Sequence, residues 1–284
     1  VVVSESDNCG IANRSLSKTS FDCSNLGENT VTLTVTDIHG NNFETDIIIT
    51  VEDLVAPTVI TKNATVNLDA NGQATITVAD IDNGSSDNCS LTLSLDKLSF
   101  DCSDLGENTV TLTGTDNSGN TASATAIVTV VDPIAPSAIT KNITLQLDAN
   151  GQASLTASMI NNGSTDNCGN VSLAVDKASF DCSNLGENTV TLTVTDASGN
   201  TATATAIVTV VDQVAPTVIT KNATVNLDAN GQATITIADI DNGSSDNCSL
   251  TLSLDKLSFD CSDLGENTVT LTGTDNSGNT ASAT

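Results

Sequence analysis

The segment from Ala56 to Thr125 recurs from Ala215 to Thr284 with one difference, Val78 against Ile237, and a more diverged copy lies between them. With Cys23, Cys102, Cys182 and Cys261 as equivalent points, the steps are 79, 80 and 79 residues. A length of 284 residues suggests two domains. The repetition instead predicts four units: residues 1–53 as a partial repeat 1, 54–132 as repeat 2, 133–212 as repeat 3 and 213–284 as a partial repeat 4. Both ends fall inside a repeat, so the chain is expected to be a window on a longer protein.

Within a repeat the pattern is that of short strands. In repeat 2, Thr58 to Leu68 is rich in Val, Ile and Thr, and the Asn71-Gly72 turn leads into a strand from Gln73 to Ala79 with Ala74, Ile76 and Val78 on one face. Leu91, Leu93 and Leu95 alternate with polar residues, Ser99 to Cys102 continues the meander, and Thr109–Thr115 and Thr121–Val131 flank the hairpin Asn117-Ser118-Gly119-Asn120. No segment carries a helical period. The expected fold class is all-β: tandem immunoglobulin-like β-sandwich repeats of about 80 residues, one disulfide each, stacked end to end as a rod. Whether Ser99–Cys102 forms strand D or strand E stays open. With no Trp or Tyr, the core must be aliphatic, anchored by Phe21, Phe100, Phe180 and Phe259, with Phe43 in addition.

The linkers around Asp53, Asp132 and Asp212 are short and carry Pro57, Pro133, Pro136 and Pro216, but no Gly or Ser run. They are expected to be stiff, with roughly 35–40 Å of rod per repeat.

Eight cysteines fall as one pair per repeat, 13 or 14 residues apart. One pair and a single His in the chain do not make a four-ligand zinc site, so disulfides within each repeat are expected: Cys9 with Cys23, Cys89 with Cys102, Cys168 with Cys182 and Cys248 with Cys261. Each closes a loop worth about 3 kcal/mol and implies an oxidising compartment.

The formal charge of −27, from 35 acids against 8 bases, excludes nucleic acid as a natural partner and disfavours acidic lipid. No stretch approaches the ~18 apolar residues of a membrane span, and no membrane insertion is expected in this segment. In a sandwich of this order the linker, the B–C loop and the F–G hairpin share one pole, where the acids gather. For repeat 2 the set is Asp53, Asp80, Asp82, Asp87, Asn88 and Asp116; for repeat 3, Asp132, Asp166, Asn167 and Asp196; for repeat 4, Asp212, Asp239, Asp241, Asp246 and Asp275. Clustered carboxylates repel unless a cation neutralises them, and calcium takes six to eight oxygens in loose geometry. The competing reading is that Asp and Asn are ordinary turn residues; it is preferred for Asp69 and Asn71. Met159 and Asn161 replace two acids in repeat 3, so its junction is expected to bind calcium more weakly than that of repeat 4.

Catalysis has no support. His39 lies in a turn where other copies carry Ser, the Ser and Thr residues have no partnered base, and there is no aromatic platform for sugars. Lys62 and Lys97 are read as solvated, not as isopeptide partners.

The unit Leu-Asp-Ala-Asn-Gly-Gln-Ala, then Asp-Asn-Gly-Ser-Ser-Asp-Asn-Cys, then Phe-Asp-Cys-Ser-Asp-Leu-Gly-Glu-Asn-Thr-Val resembles the hyalin-type (HYR-like) immunoglobulin repeats of giant secreted Bacteroidota surface proteins, such as the flavobacterial gliding-motility adhesin. The resemblance covers all four copies. It implies type IX secretion, display as filaments on the outer membrane through anchoring machinery there, and adhesion to a surface, a polysaccharide or a protein receptor. It also implies calcium for the polar loops, including Asp87, Asn88 and Asp116. Three functions compete: a calcium-stiffened spacer of an adhesin, a glycan- or protein-binding module, and the non-catalytic stalk of a secreted hydrolase.

Overall fold

The computed structural model describes residues 6–284, which divide into two compact units, one ending at Asp132 and the other spanning Pro133–Thr284. In the first unit, repeat 1 contributes β1 (Ile11–Leu16), β2 (Gly27–Asp37) and β3 (Asn42–Val51), an antiparallel sheet in the order β1-β2-β3. Repeat 2 contributes β4 (Ala64–Asn67), β5 (Gln73–Thr75), the one-turn helix α1 (Val78–Ile81), β6 (Thr92–Leu95), β7 (Ser99–Asp101), β8 (Gly106–Thr115) and β9 (Thr121–Val131). These form a four-stranded sheet, β4-β9-β8-β6, and a two-stranded sheet, β5-β7. The described residues are all-β apart from single helical turns.

The second unit repeats this plan. Repeat 3 holds β10 (Ile143–Gln146), β11 (Gln152–Ser154), α2 (Ala157–Ile160), β12 (Ser172–Val175), β13 (Ser179–Asp181), β14 (Gly186–Thr195) and β15 (Thr201–Val211). Repeat 4 holds β16 (Gln232–Thr234), α3 (Ile237–Ile240), β17 (Thr251–Leu254), β18 (Ser258–Asp260), β19 (Leu271–Thr274) and β20 (Thr280–Ala283).

The alternating pattern of the long hairpin sets its register. Gly106 pairs with Val130 and Thr115 with Thr121, so Val110, Leu112, Ala126, Val128 and Val130 all point inward and are buried. The first strand runs parallel to the last, with Ala64 opposite Val128. Ser99–Asp101 pairs with Gln73–Thr75, which makes it strand E on the sheet of strand B and resolves the alternative left open above. The core of repeat 3 collects Leu147, Leu155, Ile160, Phe180, Leu192 and Val208 between the two sheets. Its side chains compensate for those of repeat 2. A Cβ on Gly114 would lie 2.9 Å from Val59 Cγ2, whereas repeat 3 places Val194 there and has Ala138 where repeat 2 has Val59.

Several expectations need correction. The first strand is short: Thr58 and Thr61 make only isolated bridges, to Ser86 and Asp82, before Ala64–Asn67 joins the sheet. Strand B stops at Thr75 and a helical turn follows, which Asp80 caps by accepting hydrogen bonds from the Thr77 backbone N–H and hydroxyl. Phe100, Phe180 and Phe259 are buried anchors, but Phe43 is 68% exposed on β3. Lys97 is not simply solvated: it pairs with Asp104 at 2.5 Å and lies 4.8 Å from the Phe100 ring centroid, covering the edge of the core. Lys18, Lys177 and Lys256 sit over Phe21, Phe180 and Phe259 in the same way.

The disulfide pairing within repeats is overturned. Cys23 bonds Cys89, and Cys182 bonds Cys248, each across 66 residues and from one repeat to the next, while Cys102 and Cys168 are also disulfide-bonded. Cys9 and Cys261 are the free cysteines among the described residues. The reason is the length of a sandwich. Cys102 sits at the A–B turn pole, 3.7 Å from the Gly72 carbonyl, whereas Cys89 sits at the opposite pole, where the backbone of Asn117 in the F–G hairpin donates to the neighbouring Ser90. Thirteen residues of separation thus place the two cysteines at opposite ends of one repeat, and Cys89 instead bonds Cys23 of the preceding repeat.

Candidate metal centre at the repeat junctions

Each junction is assembled from short polar motifs that first satisfy their own backbone. Asp22 caps the turn Cys23–Asn25 by accepting from Ser24, so the motif Phe-Asp-Cys-Ser braces the half-cystine of the leading repeat. On the trailing repeat, Asp87 Oδ2 accepts from the backbone N–H groups of Cys89 and Ser90, at 2.9 and 3.1 Å, and so fixes the partner half-cystine. In the hairpin, Asp116 Oδ1 accepts from the N–H groups of Ser118 and Asn120, and its Oδ2 accepts from Asn120 Nδ2 at 2.7 Å. Asn120 also donates to the Asp53 carbonyl at 2.8 Å, tying hairpin to linker. Asp53 Oδ1 accepts from the Val55 N–H and from Asn88 Nδ2, both at 3.1 Å.

These bonds leave a remainder. Asp53, Asp87 and Asp116 each offer a carboxylate oxygen, and the three lie within 4.8 Å of one another. Asp53 is 8% exposed and Asp116 6%. Asp53 Oδ2 and Asp87 Oδ1 are buried and accept no hydrogen bond. Buried anionic oxygens without a partner are costly, and three carboxylates at this spacing repel. The Asp116 carboxyl is nonetheless held below the usual range: burial acts to raise it, but the Asn120 amide and the N–H groups of Asn120, Ser118 and Gly119 outweigh burial.

The second unit builds the same centre. Asp212, Asp246 and Asp275 offer oxygens within 4.8 Å of one another. Asp212 is 5% exposed, its Oδ1 accepts from Val214 and Asn247, and its Oδ2 has no partner. Asp246 Oδ2 accepts from Cys248 and Ser249, leaving Oδ1 unpaired, and Asn247 Oδ1 is a further unpaired buried oxygen. Asn279 bridges Asp275 and the Asp212 carbonyl. From the leading repeat, the Asp148 carbonyl accepts from Asn247 Nδ2 at 3.1 Å, and the Asn247 carbonyl lies 3.5 Å from Cys182 Sγ. An all-oxygen donor set of carboxylates and amides within a few ångströms is of the kind that holds hard divalent cations.

Not every acid expected here arrives. Asp80 and Asp239 cap the helical turns through Thr77 and Thr236, and Asp82 and Asp241 accept from Ser85 and Ser244; none belongs to the carboxylate groups. The position of Met159 thus corresponds to the Asp80 and Asp239 helical caps, and Asn161 accepts from Ser164 as Asp82 does from Ser85. Asn88 and Asn247 orient the linker carboxylates through their amide groups. Asp132 and Asp196 are buried, and Asp166 accepts from the Cys168 N–H as its counterparts do. Asp69 accepts from the N–H groups of Asn71 and Gln73, the ordinary Asx turn expected for it. The disulfide partners within each centre escaped sequence reasoning. Their signal was the placement of the A–B turn and the next B–C loop at one junction.

No protein-family model matches the chain, and no curated protein matches it in sequence. Solved structures with some likeness include those of cadherin repeats. A protocadherin gammaB7 EC3–6 cis-dimer shares 17% identity over 94% of this chain and 86% of that one, with a TM-score of 0.32. Mouse cadherin-23 EC22–24 shares 13% over 68% of this chain and 78% of that one, at 0.31. Human mucin-like protocadherin EC1–2 shares 16% over 55% of this chain and 98% of that one, at 0.32. No helix among the described residues is long and apolar enough to cross a membrane.

Proposed function

We propose that this chain is a structural repeat segment, a stalk or filament, of an extracellular cell-surface adhesin, without catalytic activity and stiffened by calcium at its repeat junctions. One observation carries the reading: buried Asp53 and Asp212, each with a carboxylate oxygen that no group of the protein satisfies, stand in a carboxylate trio beside a disulfide joining two repeats. A divalent cation offsets most of the charge of the trio and ties linker, B–C loop and hairpin together, while the disulfide ties that loop to the preceding repeat. Both devices limit bending at the same place. That is what a spacer holding a distal tip away from a cell requires, and the disulfides fit an oxidising, extracellular location.

The HYR-like repeat pattern supports a more specific version: export by type IX secretion, attachment to outer-membrane machinery, and a part in gliding motility or surface attachment, with a polysaccharide or protein as receptor. The test uses the whole chain in calcium and in chelator. Calcium is expected to raise the melting temperature and to lengthen the particle in small-angle scattering. Identical melting and scattering in the two conditions would remove calcium from the proposal.

A further inference from the structure

We propose that each junction disulfide and the calcium site beside it are energetically coupled, so that reduction of the disulfide weakens calcium binding and bound calcium protects the disulfide from reduction. This rests on the calcium reading above and adds its regulation.

Three consecutive residues carry the coupling. Asp87 supplies a cation-facing oxygen, and its other oxygen accepts from the backbone N–H of Cys89, the half-cystine itself. Between them, Asn88 Nδ2 donates to Asp53 Oδ1 at 3.1 Å and lies 3.5 Å from Cys89 Sγ, so one amide touches both a ligand carboxylate and the disulfide. The carbonyl of Asn88 lies 3.4 Å from Cys23 Sγ across the junction. The loop is therefore clamped twice, by the covalent bond to repeat 1 on one side and by the carboxylate group on the other.

At the second site Asp246 Oδ2 accepts from the Cys248 N–H, Asn247 Nδ2 donates to Asp212 Oδ1, the Asn247 carbonyl lies 3.5 Å from Cys182 Sγ, and Cys248 bonds Cys182. Gly151 packs into the second clamp, where an added Cβ would lie 2.6 Å from Cys182 Sγ and 2.8 Å from the Asn247 carbonyl. Such close packing transmits movement of the sulfur to the loop. Reduction by a dithiol takes up two electrons and two protons, breaks the S–S bond into two thiols, and leaves the dithiol as a cyclic disulfide. The sulfurs then move apart, and the loop that orients Asp53 and presents Asp87 loses its anchor on repeat 1. Because binding linkage is reciprocal, the factor by which reduction weakens calcium equals the factor by which calcium disfavours reduction.

The experiment poises the full chain in a dithiothreitol series with saturating calcium or with EGTA. Alkylation and peptide mass spectrometry then read the reduced fraction of Cys23–Cys89 and Cys182–Cys248 separately. A coupling of about tenfold is expected, which shifts each midpoint by about 30 mV to more negative potential in calcium. Calorimetry on the oxidised chain and on the Cys23→Ser/Cys89→Ser variant gives the reciprocal measurement, with one class of calcium sites weakened about tenfold. Equal midpoints with and without calcium, in a chain that binds calcium when oxidised, overturn the coupling. An oxidised chain that takes up no calcium at all overturns the calcium reading on which it rests.

Discussion

Replacing Asp53 by Asn separates a ligand carboxylate from a structural one, because the two roles give opposite signs without metal. Asn keeps an oxygen to accept from Val55 and Asn88, and it places an amide where Asp53 Oδ2, now unpaired, faces the unpaired Asp87 Oδ1. Two unit charges within 4.8 Å of one another repel by at least about 3 kcal/mol at an effective dielectric constant of ~20. Screening by salt and the partial exposure of Asp87 reduce the relief to about 1–2 kcal/mol. For a unit of this size that corresponds to roughly 3–8 °C in melting temperature. In EGTA, Asp53→Asn is therefore expected to melt higher than the parent chain. In calcium the order reverses, because the parent gains binding energy that the variant forfeits. Differential scanning calorimetry at matched ionic strength reads both. If the variant melts lower by the same amount in both conditions, Asp53 is a hydrogen-bonding strut for the linker and the cation argument fails.

Other outcomes follow from the same structure. Gly151→Ala forces a side chain onto Cys182 and the Asn247 carbonyl at a residue with φ of +71°; it is expected to cost about 2 kcal/mol or more and to lower the yield of the Cys182–Cys248 bond in peptide mapping. Phe180→Ala, at a side chain 3% exposed in the core of repeat 3, is expected to cost about 3–5 kcal/mol by chemical denaturation. Lys97→Gln removes a partly exposed ion pair and a cation–π contact and is expected to cost no more than about 1 kcal/mol. Acid is expected to unfold the chain. The carboxyls of Asp69, Asp148 and Asp228 are held low by the N–H groups of Gln73, Gln152 and Gln232, and those of Asp101, Asp181 and Asp260 by the hydroxyls of Ser103, Ser183 and Ser262. Their contribution is complete above the unfolded carboxyl pKa of about 4 and is lost as pH falls through the lower folded values, so melting should be flat from pH 7 to about 5 and drop steeply below about 4.

Much of this protein was legible in its residues. Alternation in Thr109–Val131 determined a long hairpin and its inward face, because a period of two leaves only one register that buries Val110, Leu112 and Val128 together. The Asp-Asn-Cys and hairpin acids pointed to the junction pole for a related reason: strand order alone puts the linker, the B–C loop and the F–G hairpin at one end of a sandwich. Which acids join the centre was not legible. Asp80 and Asp87 lie in the same polar loop, yet one side chain turns back onto Thr77 and the other faces Asp53, and only the path of the backbone distinguishes them.

The pairing of the cysteines belongs wholly to the tertiary structure. Spacing along the chain favours neighbours such as Cys9 and Cys23, since a short loop is the easier one to close. A strand carries its two ends to opposite poles, however, and packing of consecutive repeats brings Cys23 and Cys89 to a Cα separation of 5.2 Å despite 66 intervening steps. Closing that larger loop restricts the unfolded chain by about 4 kcal/mol, more than the short loop would. Composition and periodicity determined what each repeat is; the backbone path of each polar loop decided which acids meet, and the packing of repeat 1 on repeat 2 and of repeat 3 on repeat 4, which no single repeat encodes, decided how those pairs are joined.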